Sequence, residues 1–140
     1  MASDLLTPKR LCPLSTETTA MPSRIEDYAL IGDCHTAGLV AKDGSLDWLC
    51  VPRFDSGACF AALLGTPDNG RWLVAPAGEV RSVRRAYRDC TLVLDTEFTT
   101  DEGTVTLTDC MLPFGEGSEV LRVVKGKRGR VPMRTGRASS

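Results

Sequence analysis

An Asp43-Gly44 pair lies between two apolar runs, residues 38–41 and 46–51. Asp-Gly readily takes the positive φ angles of a two-residue hairpin turn. The spacing therefore predicts a β-hairpin, and a hairpin this early commits the chain to a sheet. Along its second strand, strict alternation puts Leu46, Trp48 and Cys50 on one face and Leu49 and Val51 on the other. Both faces are apolar, so the strand is expected to be central or covered on both sides. Pro52 has no N–H to donate and ends the pairing. The loop after it, Arg53-Phe54-Asp55-Ser56, gathers a cation, an aromatic ring, a carboxylate and a hydroxyl. No other stretch concentrates as much chemistry.

The remaining segments extend the sheet. Ser23, with Glu26 three residues on, has the spacing of a capping box for a short helical turn. Residues 58–64, with three alanines, are expected to form one short helix closed by Gly65. Residues 66–70 form a turn around Pro67 and Asn69-Gly70, and a strand follows over 71–75. Residues 79–88 carry four arginines and read as an edge strand guarded by charge. With Tyr87, the same strand also offers a surface for RNA. Leu92, Leu94, Thr96 and Phe98 alternate with Val93, Asp95 and Glu97. Asp101-Glu102-Gly103 turns the chain, and Thr104, Thr106 and Thr108 alternate with Val105 and Leu107. This is a second hairpin with one buried and one wet face. Residues 119–124 add a strand. The pattern predicts a mainly β fold: an antiparallel β-sandwich, incomplete in extent, with one short helix.

The length of 140 residues, 42% of them hydrophobic and 25% charged, suits one globular domain. A formal net charge of −1 exerts no global pull on nucleic acid or a membrane. Residues 1–20 are rich in Ser, Thr and Pro, without period, and are expected to be a disordered extension, with Met21 as the natural start. They hold no continuous apolar stretch of the kind a secretory signal needs, so a cytoplasmic location is expected. Residues 125–140 carry six of the seventeen Lys and Arg residues and read as a basic, disordered tail. The expected organisation is an extension over 1–20, a β-sandwich over 21–124 and a tail over 125–140.

Six cysteines stand at positions 12, 34, 50, 59, 90 and 110, no two within four residues, and the chain has one histidine. Structural zinc sites bring ligands in close pairs, so no metal is expected, and the thiols read as small, buried, reduced residues. Glycoside hydrolysis needs two carboxylates, for which Asp33, Asp47 and Asp55 are the candidates. The plainer reading makes them capping and turn carboxylates. A Cys34-His35 nucleophile is disfavoured, because neighbours in a strand point to opposite faces. Trp48 is either a core residue or a sugar-stacking platform. Arg53 and Asp55 are expected to pair across a turn. There is no glycine-rich phosphate loop, and no cofactor is expected.

Residues 25–40, then Asp43-Gly-Ser-Leu-Asp-Trp-Leu-Cys-Val-Pro-Arg-Phe-Asp-Ser56, resemble the start of bacterial glycoside hydrolase family fifteen proteins, the glucoamylase-like and trehalase-like enzymes. The resemblance continues through Phe60-Ala-Ala-Leu-Leu-Gly, Gly70-Arg-Trp-Leu-Val-Ala-Pro, Tyr87-Arg, Thr91-Leu-Val-Leu-Asp-Thr-Glu-Phe and Arg128-Gly-Arg-Val-Pro-Met-Arg134. It implies an N-terminal β-sandwich domain that packs on an (α/α)6 barrel carrying two catalytic glutamates. No position here matches either glutamate, so the resemblance implies a non-catalytic piece of an enzyme acting on α-glucosides, without nucleic-acid or membrane partners. It also implies that the loop holding Trp48, Arg53, Phe54 and Asp55 faces the barrel near its sugar site. After Arg134 the family continues with further strands, where this chain reads Thr-Gly-Arg-Ala-Ser-Ser, as expected of a fragment or truncated gene. The alternative is a stand-alone binding module for carbohydrate, through Trp48, or for nucleic acid, through the arginine-rich strand and basic tail.

Overall fold

A computed structural model describes residues 23–113 and 117–138. The expected N-terminal extension, Met21 and Cys12 lie outside these residues. The strands in chain order are β1 (Tyr28–Gly32), β2 (Ala37–Ala41), β3 (Ser45–Cys50), β4 (Ala58–Phe60), β5 (Arg71–Pro76), β6 (Val80–Tyr87), β7 (Leu94–Thr100), β8 (Gly103–Leu112), β9 (Glu119–Gly129) and β10 (Met133–Ala138). They form two antiparallel sheets. One runs β1-β2-β3-β5-β10, with β4 also on β3; the other runs β6-β7-β8-β9. The expected sandwich-like, mainly β architecture is therefore present. No helix among the described residues is long and apolar enough to cross a membrane.

Alternation builds the core. Leu94, Thr96 and Phe98 of β7 point inward with Val105 and Leu107 of β8, while Asp95 and Glu97 face out. Ile31, Val40, Leu46, Leu49 and Phe60 of the first sheet meet Leu94 and Met111 of the second. A second cluster joins Val74 to Phe98, Val105 and Leu107. Each fully buried Leu, Ile or Phe removes apolar surface worth about 1.5–3 kcal/mol.

The first hairpin forms where expected, with a different turn. Lys42, Asp43 and Gly44 make a three-residue loop in which the Gly44 N–H donates to the Ala41 carbonyl at 3.0 Å. Of these, Gly44 has a positive φ, 89°, as in a type I turn followed by a left-handed residue. The strand faces also differ from strict alternation. Leu39 pairs with Trp48 but Val40 pairs with Leu46, so Asp47 is the extra residue of a β-bulge. The bulge shifts the phase by one. Leu46 and Leu49 both reach the core, and Trp48 is half-buried. The strand is central, as its two apolar faces imply.

Three local expectations are corrected. Residues 58–64 are not one helix: β4 is followed by a single 3-10 turn, Ala62–Leu64. Alanine's helix preference is worth a few tenths of a kcal/mol per residue, whereas pairing Phe60 with Leu49 buries its ring, which gains about 1.5–3. Ser23 caps nothing: the 3-10 turn Ile25–Asp27 starts from Arg24 without a side-chain cap. The basic stretch from 125 is no loose tail through 138, for β9 runs to Gly129 and β10 pairs with β5 along its length. Val131 and Met133 anchor it by packing on the second core cluster. Its cations sit on edge strands, where charge is compatible with backbone pairing.

The cysteines also depart from the expectation. Cys34, Cys50, Cys59, Cys90 and Cys110 are free thiols, but only Cys50 is buried. Cys34 and Cys90 are exposed, at φ values of 73° and 56°.

Candidate functional site

The topology carries three connections to one end of the sandwich. They are the β1–β2 turn at 33–36, the loop at 51–57 after β3, and the connection from β8 to β9. The first is tightly fastened. The Asp33 carboxylate accepts the N–H groups of His35 and Thr36 at 2.9 and 2.8 Å, and the Thr36 hydroxyl donates to the Cys50 carbonyl at 2.6 Å. Burial pushes the Asp33 carboxyl up, but the Thr36 and His35 N–H groups and the Ser118 hydroxyl outweigh it and hold the group below the usual carboxylate range.

The second connection carries the residues singled out in the sequence. Arg53 N–H donates to Ser56 Oγ at 3.2 Å and Ser56 N–H returns to the Arg53 carbonyl at 3.0 Å, which closes a small turn after the cis Val51–Pro52 peptide. Arg53 Nε meets Asp55 Oδ1 at 3.1 Å in an exposed pair, as the spacing suggests. Phe54 stands out between them, 65% exposed. Ser118 donates to the Pro52 carbonyl at 3.3 Å and ties this loop to the third connection.

Between the three connections lies a concavity of about 330 Å³, lined by Asp33, His35, Pro52, Arg53, Leu112 and Ser118. Of the residues expected to face the sugar site, Trp48, Arg53, Phe54 and Asp55, it is Arg53 that lies on its wall, together with the candidate carboxylate Asp33. Trp48 sits opposite Leu39 within the sheet, away from this lining, and Phe54 and Asp55 project from the loop. Leu112 and Ser118 carried no sequence signal. They enter because β8 ends and β9 begins where β3 ends, a fact of topology alone.

The three aspartates proposed as a hydrolytic pair are each engaged locally. Asp33 closes a turn and Asp55 holds Arg53. Asp47 accepts the Tyr28 hydroxyl at 2.8 Å and the Ser45 hydroxyl. Burial, with Asp47 beside it, raises the Tyr28 phenol well above its usual range. Three of the four arginines of the arginine-rich strand are likewise engaged. Arg81 meets Asp101 and Glu79, Arg88 meets Asp95, and Arg85 donates to the carbonyls of Val40 and Asp27. Lys127 meets Glu97. Among the described residues, no three His, Cys, Asp or Glu side chains converge as a metal site would need.

Fold and site together define a two-sheet antiparallel domain with one loop-rich, amphipathic end. Residues 16–133 match the family described as trehalase-like, N-terminal, and the chain belongs to that family. It is 32% identical over 132 residues to a trehalase of Mycobacterium tuberculosis, covering 94% of this chain and 19% of that protein. It is 35% identical over 88 residues to a trehalase of Mycolicibacterium smegmatis, covering 63% of this chain and 13% of the relative. Trehalase 2 of Sulfolobus acidocaldarius is 36% identical over 83 residues, 59% of this chain and 14% of its own length. The chain thus spans less than a fifth of these relatives. No solved structure matches it.

Proposed function

We propose that this chain is a non-catalytic N-terminal domain of an α-glucoside hydrolase of the trehalase and glucoamylase kind, in glycoside hydrolase family fifteen. In this reading it packs against an (α/α)6 catalytic barrel and shapes the substrate entrance. The observation that carries it is the family match over residues 16–133 in a chain that spans under a fifth of the trehalases it resembles. The local engagement of Asp33, Asp47 and Asp55 supports the non-catalytic role, since glycoside hydrolysis needs an acid and a base free to face the sugar. The loop-rich end supports the docking role. Phe54, Val51 and Leu112 are exposed there beside Arg53 and Asp55, an apolar centre with a charged rim. Phe54, Arg53 and Asp55 are the residues proposed to face the barrel, with Trp48 behind them. The proposed compartment is the cytoplasm, where free thiols stay reduced.

Two measurements test this. Purified chain incubated with trehalose or maltose is expected to release no glucose above a blank. A chimera carrying it in place of the matched segment of the M. tuberculosis trehalase is expected to hydrolyse trehalose, and to lose most of that activity with Phe54→Asp. Glucose release by the chain alone, abolished by Asp55→Asn, would overturn the reading.

A further inference from the structure

Among the described residues β9 is the longest strand and lies at an edge of its sheet. Edge strands normally carry charge along their length to prevent pairing. β9 does so over its second half, through Lys125, Lys127 and Arg128. Its first half does not: Leu121, Val123 and Val124 are 45%, 44% and 43% exposed. Arg122 between them points inward, 1% exposed and bound to Asp109. Alternation therefore puts Glu119, Leu121, Val123 and Lys125 on the outer face, and Val120 and Val124 on the inner.

We propose that this half of β9 is a docking strand for a second copy of the chain, paired antiparallel about a two-fold axis at Arg122. Opposed residues in an antiparallel pair turn their N–H and C=O groups both toward the partner strand or both away, and their side chains share one face of the sheet. Self-pairing therefore joins only residues of the same phase, so their numbers sum to an even value. With Arg122 opposite its own copy, Leu121 faces Val123, Val120 faces Val124 and Glu119 faces Lys125. All three exposed apolar residues gain an apolar partner, and a carboxylate meets an ammonium at each end. Shifting the axis by one residue either way breaks this. An axis at Leu121 sets Val123 against Glu119, and an axis at Val123 sets Leu121 against Lys125. Arg122 brings no repulsion onto the joint surface, because its guanidinium is held inside its own sandwich by Asp109. The pairing is isologous and uses up both β9 edges, so it stops at a dimer. It makes one continuous eight-stranded sheet from two four-stranded ones. This inference does not rest on the proposed function, since it uses a strand edge and not the loop-rich end.

Sedimentation of the full chain across a concentration series tests it. A reversible dimer is expected. Glu119→Lys and Lys125→Glu, both at exposed positions, should each weaken it about tenfold or more, because each places like charges opposite one another twice. The double reversal Glu119→Lys/Lys125→Glu should restore the dimer, while Leu121→Lys should leave monomer with an unchanged circular dichroism spectrum. A chain that stays monomeric throughout, or that dimerises with no response to either single reversal, overturns the proposal. So does a double reversal no tighter than the singles, which would mean that another register or another surface is used.

Discussion

Arg122 and Asp109 face each other inside the sandwich, Nε to Oδ1 at 2.7 Å, with side chains 1% and 0% exposed. Both come from one sheet, β9 and β8, yet the pair fastens the other. Arg122 Nη1 donates to the Trp72 carbonyl at 2.5 Å and Nη2 to the Gly44 carbonyl at 2.7 Å, and the guanidinium lies over the Trp72 ring. Burial pushes the Asp109 carboxyl up, and the guanidinium opposes it. Removing one partner of such a pair strands the other charge, at a cost of about 3–5 kcal/mol. Arg122→Leu is therefore expected to remove a large share of a stability that in domains of this size is about 5–15 kcal/mol. Asp109→Asn should cost less, because Arg122 keeps the two carbonyls. Urea unfolding followed by tryptophan fluorescence would read both, and equal midpoints for Arg122→Leu and the parent would refute the bridging role.

Gly44 serves that bridge and the hairpin at once. Its φ of 89° lies in the left-handed region, and a Cβ there would stand 2.2 Å from the Val74 carbonyl oxygen. That oxygen belongs to neighbouring backbone in a central strand and cannot move aside cheaply. Gly44→Ala should lower stability by about 1–3 kcal/mol from the backbone alone, with the steric clash in addition. A thermal midpoint within a degree of the parent would contradict this.

These residues show which parts of the fold were legible in the sequence. The Asp43-Gly44 signal located the hairpin, and the alternation from Leu94 to Leu107 located the second, because both are local rules. The same alternation carries Asp109 and Arg122 inward, in phase with Leu107 and Val120, and a charged residue of each sign in that register was a readable sign of a buried pair. The bulge at Asp47 was not readable, since its cause is the pairing of β3 with β2 and β5 rather than anything in β3 itself. β10 was hidden for a similar reason. Its cations suggested a tail, and its partner β5 lies far away in sequence. Of the site residues, Arg53 reaches the concavity because its loop is local, whereas Leu112 and Ser118 arrive there through topology.

Acid should loosen the loop-rich end first. The Asp33 carboxyl is held below its usual range in the folded state, its N–H and hydroxyl donors outweighing burial. Asp95 is also held low, chiefly by Arg88. A depressed folded value means stabilisation that is present above the unfolded value, about pH 3.9, and lost as pH falls through the folded one. Stability of the parent should therefore fall below about pH 4, and the Asp33→Asn variant should show a shallower fall. Urea midpoints measured across that range would show parallel curves if Asp33 contributes nothing.

Thr96 offers the opposite sign. It is fully buried between Leu94 and Phe98, and its hydroxyl has no hydrogen-bond partner among the described residues. An unsatisfied buried hydroxyl costs about 1–3 kcal/mol, and valine has nearly the same shape. Thr96→Val is expected to raise the urea midpoint. A lowered midpoint would mean that the hydroxyl finds a partner in solution, such as a buried water.

The edge of β1 is closed by a side chain from the other sheet, and this gives the most local test. The Tyr87 hydroxyl accepts the Leu30 N–H at 2.9 Å and donates to the Leu30 carbonyl at 2.9 Å. One phenol thus satisfies both backbone groups that Leu30 turns away from β2. Arg85 adds donations from the same strand to Val40 and Asp27, so β6 fastens this corner at several points. Tyr87→Phe keeps the ring and removes only the hydroxyl, so about 1 kcal/mol of stability should go. The effect should also be confined in place. Hydrogen exchange at the Leu30 amide should quicken severalfold, while exchange at Val105, in the middle of the core, should change only by the loss of global stability. Uniform quickening at both sites would mean that the phenol supports the whole fold instead, and unchanged exchange at Leu30 would mean that water replaces it at no cost.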